Sequence, residues 1–188
     1  HSDTHSFPTR RSSDLATEVT TQEVDEEGNP RFVTASDFVY GIRRACDPNT
    51  GSYYSSVIAP QIKGCSDVLF AEDPDNIPEE LWEGIGVSAP ADDTLIIELE
   101  FPAGYFETMT PMWTLTATPE WAIAEHGEDW IEAGNIVTNG RFVLHEWVHN
   151  VRRQIWRNPL MPEDMYGTGN VERLVTNVVP DTSTGYAL

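Results

Sequence analysis

Basic side chains are scarce in this chain of 188 residues: 11 Lys and Arg stand against 31 Asp and Glu, a formal charge of −20 at pH 7. That excludes nucleic acid as a partner, because a phosphate backbone is held through a basic footprint. Adhesion to anionic membranes is disfavoured for the same reason. What the excess of carboxylates dictates directly is a soluble, self-repelling surface, and it names no substrate. No apolar run approaches the ~18 residues of a transmembrane helix, there is no internal repeat, and no signal peptide is visible. Cysteine is limited to Cys46 and Cys65. They flank a loop rich in Pro, Gly, Ser and Tyr, DPNTGSYYSSVIAPQIKG. In an exported protein that pair would close a disulfide stabilising the fold by about 3 kcal/mol through loss of unfolded-chain entropy. The alternative is two unrelated small core residues.

What is present is globular in composition: 39% hydrophobic and 10% aromatic residues, six of them Trp. The length suits one domain with a real core, or parts of two. The opening is of a different character. Residues 5–15, HSFPTRRSSDL, match the translation of a common short-read sequencing adapter in one frame; a natural Ser/Arg-rich leader is the alternative. Residues 1–15 are therefore expected to be foreign, and the chain, which ends DTSTGYAL just as a helical pattern begins, is expected to be a fragment.

Residues 16–31 are polar and turn-rich. VTASDFVYGIRRAC then carries the marks of a helix start, with Thr34 as N-cap, Asp37 three residues on and Val33 and Phe38 placed as a hydrophobic staple. Phe38, Ile42 and Ala45 fall on one face, and the helix should stop before Asp47-Pro48. A short helix is expected around Pro78–Glu83. In ADDTLIIELEF, Leu95, Ile97, Leu99 and Phe101 alternate with Ile96, Glu98 and Glu100, which predicts a half-buried strand of a hairpin turning at Asp92-Asp93. Gly104–Thr110 and Pro119–Gly127 read as short helices. The mixture predicts an α/β or α+β fold.

The stretch His145-Glu146-Trp147-Val148-His149 fits the zinc-protease pattern H-E-x-x-H. That chemistry needs both imidazoles on adjacent turns of one helix face, with the glutamate as base. A helical reading exists: Leu144, Val148, Val151 and Ile155 keep 4-3-4 spacing. A strand reading competes with it. Phe142, Leu144 and Val148 alternate with Val143, His145 and Trp147, Asn150 can turn the chain before VRRQIW, and Gly140 marks where a β-rich composition begins. On a strand, residues four apart lie about 13 Å from each other, too far to share a zinc ion. The longer pattern also fails, with Arg152 in place of glycine and Ile155 in place of a third histidine. Glu163 or Glu172 would have to supply a further ligand.

Four stretches in order resemble the family 5 extracellular solute-binding proteins, the oligopeptide-binding components of ABC importers. VTASDFVYGIRRACDPNTGS resembles that family's T-A-x-D-F-V-Y … D-P-x-T-x-S segment. ADDTLIIELEFPAGYF is similar to its D-D-x-T strand closing on P-x-x-Y-F, and TPEWAIAEHGEDW to its P-x-x-A-x-E … G-x-x-W helix. NIVTNGRFVLHEW matches N-x-V-x-N-G-x-(Y/F) … W, followed by Arg157-Asn158-Pro159 for (R/K)-N-P. After that turn Leu160-Met161-Pro162-Glu163 departs from the family's aromatics.

The resemblance implies a periplasmic-binding-protein-like class II fold, a two-lobed α/β clamshell that closes on its ligand and of which only part is present. It places residues 16–135 in the smaller accessory lobe and 136–188 at the start of the return segment of the main lobe. It implies an exported protein on the outer side of the cytoplasmic membrane or in the periplasm, held to a membrane only by a lipid anchor. Its partners would be an oligopeptide and the permease subunits of an ABC importer, with no cofactor and no catalytic residues. HEWVH then falls on a strand, and His145, Glu146 and His149 are a decoy with no metal. Tyr54 aligns with a tyrosine that reaches the ligand in oligopeptide-binding members; Tyr53 replaces it if the register slips by one, and a plain surface aromatic is the alternative. Trp130 and Trp147 read as core. Other cargoes on the same fold, such as dipeptides, nickel chelates or oligosaccharides, and more remotely a zinc peptidase, are the competing readings.

Overall fold

The computed structural model describes residues 4–8, 25, 27–29, 31–161 and 169–179. The chain separates into two compact units, one of residues 1–15 and 33–120 and the other of residues 16–32 and 121–188. Both mix helix and strand.

In the first unit, helix α1 (Ala35–Cys46) starts where the sequence predicts. Asp37 takes the Thr34 backbone N–H at 2.7 Å and its hydroxyl at 3.2 Å, which satisfies a donor that a bare helix start leaves orphaned. Ile42, Ala45 and Cys46 are buried, with Phe38 packed against them from the rim. Asp47, before Pro48, is extended and ends the helix. Strands β2 (Val87–Ala91) and β3 (Thr94–Glu98) form the expected hairpin. Strand β1 (Thr4–Pro8) pairs along the other side of β3, giving the order β1-β3-β2.

The alternation predicted to run through Phe101 stops earlier. Leu95, Ile97 and Leu99 are buried, but Phe101 is 43% exposed. Beyond Glu98 the backbone pairs instead with the cysteine loop: Leu99 bridges Ile62, and the Glu100 N–H donates to the Gln61 carbonyl at 2.9 Å. That loop supplies helix α2 (Ser55–Ile58) and leads into α3 (Cys65–Leu69). Cys46 and Cys65 are joined, with Sγ atoms 1.97 Å apart and neither residue exposed, so the end of α1 is tied to the start of α3. Gly64 precedes the bridge at φ +69°, and a Cβ there would stand 2.5 Å from the Gly84 carbonyl oxygen; no other residue fits that turn. Helices α4 (Glu79–Glu83) and α5 (Phe106–Met109) complete the unit. The fully buried Ile42, Ile58, Ile62, Val68 and Phe106 each contribute roughly 1.5–3 kcal/mol of hydrophobic stabilisation.

Helix α6 (Glu120–His126) leads into the second unit, whose sheet β4 (Phe142–Val148), β5 (Arg152–Arg157), β6 (Arg173–Asn177) is antiparallel throughout. The turn between β4 and β5 is made at Asn150, φ 61°, a left-handed position that asparagine tolerates. Asn158, fully buried, locks the far end of the hairpin. Its Nδ2 donates to the Gly140 carbonyl at 2.8 Å, and its backbone N–H donates to the Arg141 carbonyl at 2.9 Å. The N-G and R-N-P motifs thus belong to one clamp. Among the described residues, no helix is long and apolar enough to cross a membrane.

Candidate ligand-binding site

The cysteine loop is built to display aromatics. Asp47 Oδ1 accepts from the Asn49 N–H at 2.8 Å, a turn of 3-10 helix follows over Pro48–Thr50, and Gly51 at φ 63° reverses the chain. Ser55 then folds back on Ser52, its N–H and its hydroxyl both donating to the Ser52 carbonyl, at 3.2 and 2.8 Å. With Ser55 and Ile58 buried beneath it, the loop holds Tyr53 and Tyr54 at its tip. Tyr53 is 86% exposed and Tyr54 half-buried.

Three rings meet there. Tyr54 makes edge-to-face contacts with Tyr53 on one side, centroids 5.0 Å apart at 75°, and with Trp113 on the other, 5.1 Å apart at 76°. Trp113 opens a second 3-10 turn, Trp113–Leu115, whose Leu115 is buried, yet its own indole is 67% exposed. Sequence reasoning missed Trp113, because no periodicity relates the turn after α5 to the turn after α1. Tyr105, also exposed, donates its hydroxyl to Gln61 Oε1 at 2.8 Å. The Tyr54 hydroxyl, by contrast, has no hydrogen-bond partner among the described residues. Exposed aromatic rings grouped in this way, with a hydroxyl that has no partner among the described residues, offer both an apolar face and a polar handle to whatever contacts them.

The first four residues of HEWVH lie on β4 rather than on a helix, and His149 falls in the turn that follows. A β-bulge between Leu144 and Glu146 also breaks the predicted alternation, because one extra residue on the bulged strand reverses the phase beyond it. Trp147 therefore joins Phe142 and Leu144, not Val143 and His145, along an apolar groove also lined by Ile136, Arg153 and Ile155. Trp130 and Trp147 are each half-buried, so neither is a core residue as expected. The three zinc-like residues face separate partners. The His145 ring stacks on Trp156 at 3.5 Å, and His149 stacks on Trp147 at 4.2 Å while its Nε2 lies 2.8 Å from Glu132 Oε1. Glu146 accepts from Arg152 and Gln154. Glu163 lies outside the described residues, and Glu172 is exposed, its carbonyl accepting the Arg157 N–H. Among the described residues no group of three or more His, Cys, Asp and Glu is placed to hold a metal.

Residues 28–188 match the family described as bacterial extracellular solute-binding proteins, family 5 middle. The chain belongs to this family. The periplasmic oligopeptide-binding protein OppA of Escherichia coli K12 is 38% identical over 134 residues, 71% of this chain and 23% of that protein. A probable deoxycholate-binding periplasmic protein of the same strain, YgiS, is 37% identical over 133 residues, again 71% of this chain and 23% of that one. Among solved structures, OppA of Burkholderia pseudomallei superposes with a TM-score of 0.76 at 26% identity, covering 100% of this chain and 33% of that one. This family 5 chain thus spans about a quarter of the length of the curated relatives it matches. Family 5 is a family of substrate-binding proteins, not of enzymes.

Proposed function

We propose that these residues belong to an exported solute-binding protein that captures oligopeptides outside the cytoplasmic membrane and delivers them to the permease of an ABC importer. The observation that carries the reading is Tyr54. By the resemblance it aligns with a tyrosine that reaches the ligand in oligopeptide-binding members, and it is held between two rings with no hydrogen-bond partner for its hydroxyl among the described residues. Peptide backbone offers carbonyl oxygens that such a hydroxyl can satisfy whatever the side chains, which suits a binder of loose sequence preference. Residues 16–135 would form the accessory lobe and residues from 136 the return to the main lobe. The protein binds and releases; no bond is made or broken, and neither a metal nor a cofactor is used.

The test is calorimetry on the full-length protein with a pool of synthetic tetra- and pentapeptides. Binding is expected, and Tyr54→Phe, which keeps the ring and removes the hydroxyl, should weaken it by about two- to tenfold, the worth of one hydrogen bond. A full-length protein that ignores peptides but binds deoxycholate would replace this reading with that of a bile-acid binder, the cargo in the name of the relative YgiS.

A further inference from the structure

We infer that Trp113 is a positioning residue for the ligand contact of Tyr54. The inference rests on the peptide-binding reading above and adds to it a residue outside the four stretches that carry the family resemblance. Tyr54 stands at the end of a loop, immediately before the short helix α2, with no hydrogen bond to fix its hydroxyl among the described residues. Its ring can hold one orientation only through what it packs against, and the aromatic groups among these are Tyr53 and Trp113. The two differ in kind. Tyr53 is the neighbour in sequence, 86% exposed, and moves with the same loop. Trp113 comes from a separate element whose next residues are anchored: Leu115 is buried, and its N–H donates to the Met112 carbonyl at 2.9 Å. A ring braced against an independent element is held when the loop moves. A ring braced only against its own neighbour is not.

The exposure of Trp113 needs a reason of its own. A tryptophan 67% exposed adds little to the core, and its edge-to-face contact with Tyr54 gives it a use within the fold. Such a contact aligns the positive edge of one ring with the negative face of the other and defines an angle as well as a distance. Ordering Tyr54 before the ligand arrives removes the entropy that would otherwise be lost on binding, and this strengthens association without any new contact to the peptide.

The experiment is a double-mutant cycle between Trp113 and Tyr54 in the full-length protein, read by calorimetric titration with the same pool of synthetic tetra- and pentapeptides, with a thermal melt for each variant. Trp113→Ala should weaken binding by about three- to tenfold, the worth of an aromatic pair, while the melting temperature stays near that of the parent. Trp113→Phe, which can keep an edge-to-face contact, should restore most of the affinity. In a Tyr54→Ala background, Trp113→Ala should change affinity less than about twofold, because its effect is transmitted through Tyr54. Parental affinity in Trp113→Ala, alongside a defect in Tyr54→Phe, overturns the positioning role and leaves the peptide reading intact. An undiminished effect of Trp113→Ala in the Tyr54→Ala background also overturns it, since Trp113 would then touch the ligand itself. A parent protein that binds no peptide in the pool sinks the peptide reading and this inference together.

Discussion

Glu146 is the residue on which the zinc-like pattern would depend for a base, and its surroundings oppose that task. It accepts from Arg152 Nε at 2.8 Å and Nη2 at 2.9 Å, and also from Gln154. These bonds, the one from Arg152 foremost, hold its carboxyl below the ordinary value of 4.5. A base is tuned in the opposite direction, toward the working pH. Because the folded pKa is depressed, the pairing supports the fold at pH values above 4.5 and is lost as pH falls through the lower, folded value. In a carboxylate titration followed by NMR, Glu146 should therefore show a midpoint below 4.5, and Arg152→Ala should move it back toward that value. A midpoint at or above 4.5 in the parent would remove the argument. The motif was legible as letters, and its β-rich surroundings pointed to a strand. Its true partners were not, because Arg152 and Gln154 reach Glu146 only through the hairpin register. Trp113 was hidden for the same reason: it meets Tyr54 through tertiary packing alone.

Elements with strong local signals were readable ahead of the structure. The capping pair Thr34 and Asp37, the Asp-Pro stop and the Leu95–Leu99 alternation each act within a few residues, and α1, β2 and β3 lie where those signals put them. The misreadings fall where an element is decided from a distance. Phe101 leaves the sheet because the backbone of Gln61 and Ile62 captures the chain first, and the bulge in β4 has no marker such as glycine. The covalent tie between α1 and α3 also belongs to this scale. Cys46 and Cys65 are 19 residues apart in sequence and wholly buried. Closing a loop of that size lowers the entropy of the unfolded chain, worth about 3 kcal/mol in the chain-entropy picture. Replacing both cysteines with alanine should reduce the unfolding free energy by about that amount in a denaturant titration. Full reactivity of two thiols in the native, unreduced protein would show that no bridge forms. A milder outcome, a bridge whose loss costs little, would mean the unfolded loop is already ordered by its prolines.

At the scale of the whole molecule, charge is the property with the widest reach. The formal −20 is unevenly distributed along the chain: between residues 33 and 120 the only cations are Arg43, Arg44 and Lys63, set among many carboxylates. Lys63 is committed to Glu98 at 2.7 Å. Compact folding draws the remaining carboxylates together, so self-repulsion weakens the folded state relative to the unfolded one. Added salt shortens the screening length from about 10 Å at 0.1 M to about 3 Å at 1 M, which relieves repulsion between carboxylates across the surface. The same salt weakens the exposed pairs Lys63–Glu98 and Arg152–Glu146. Exposed pairs of this kind contribute little to begin with, and so relief of repulsion wins. The melting temperature of dilute protein at neutral pH should rise steadily with sodium chloride, and most steeply at low concentration, where the screening length changes fastest. A melting temperature that falls with salt would show that the ion pairs outweigh the repulsion. One that rises with sodium sulfate but not with sodium chloride at matched ionic strength would point to solute exclusion acting on buried apolar surface rather than to charge.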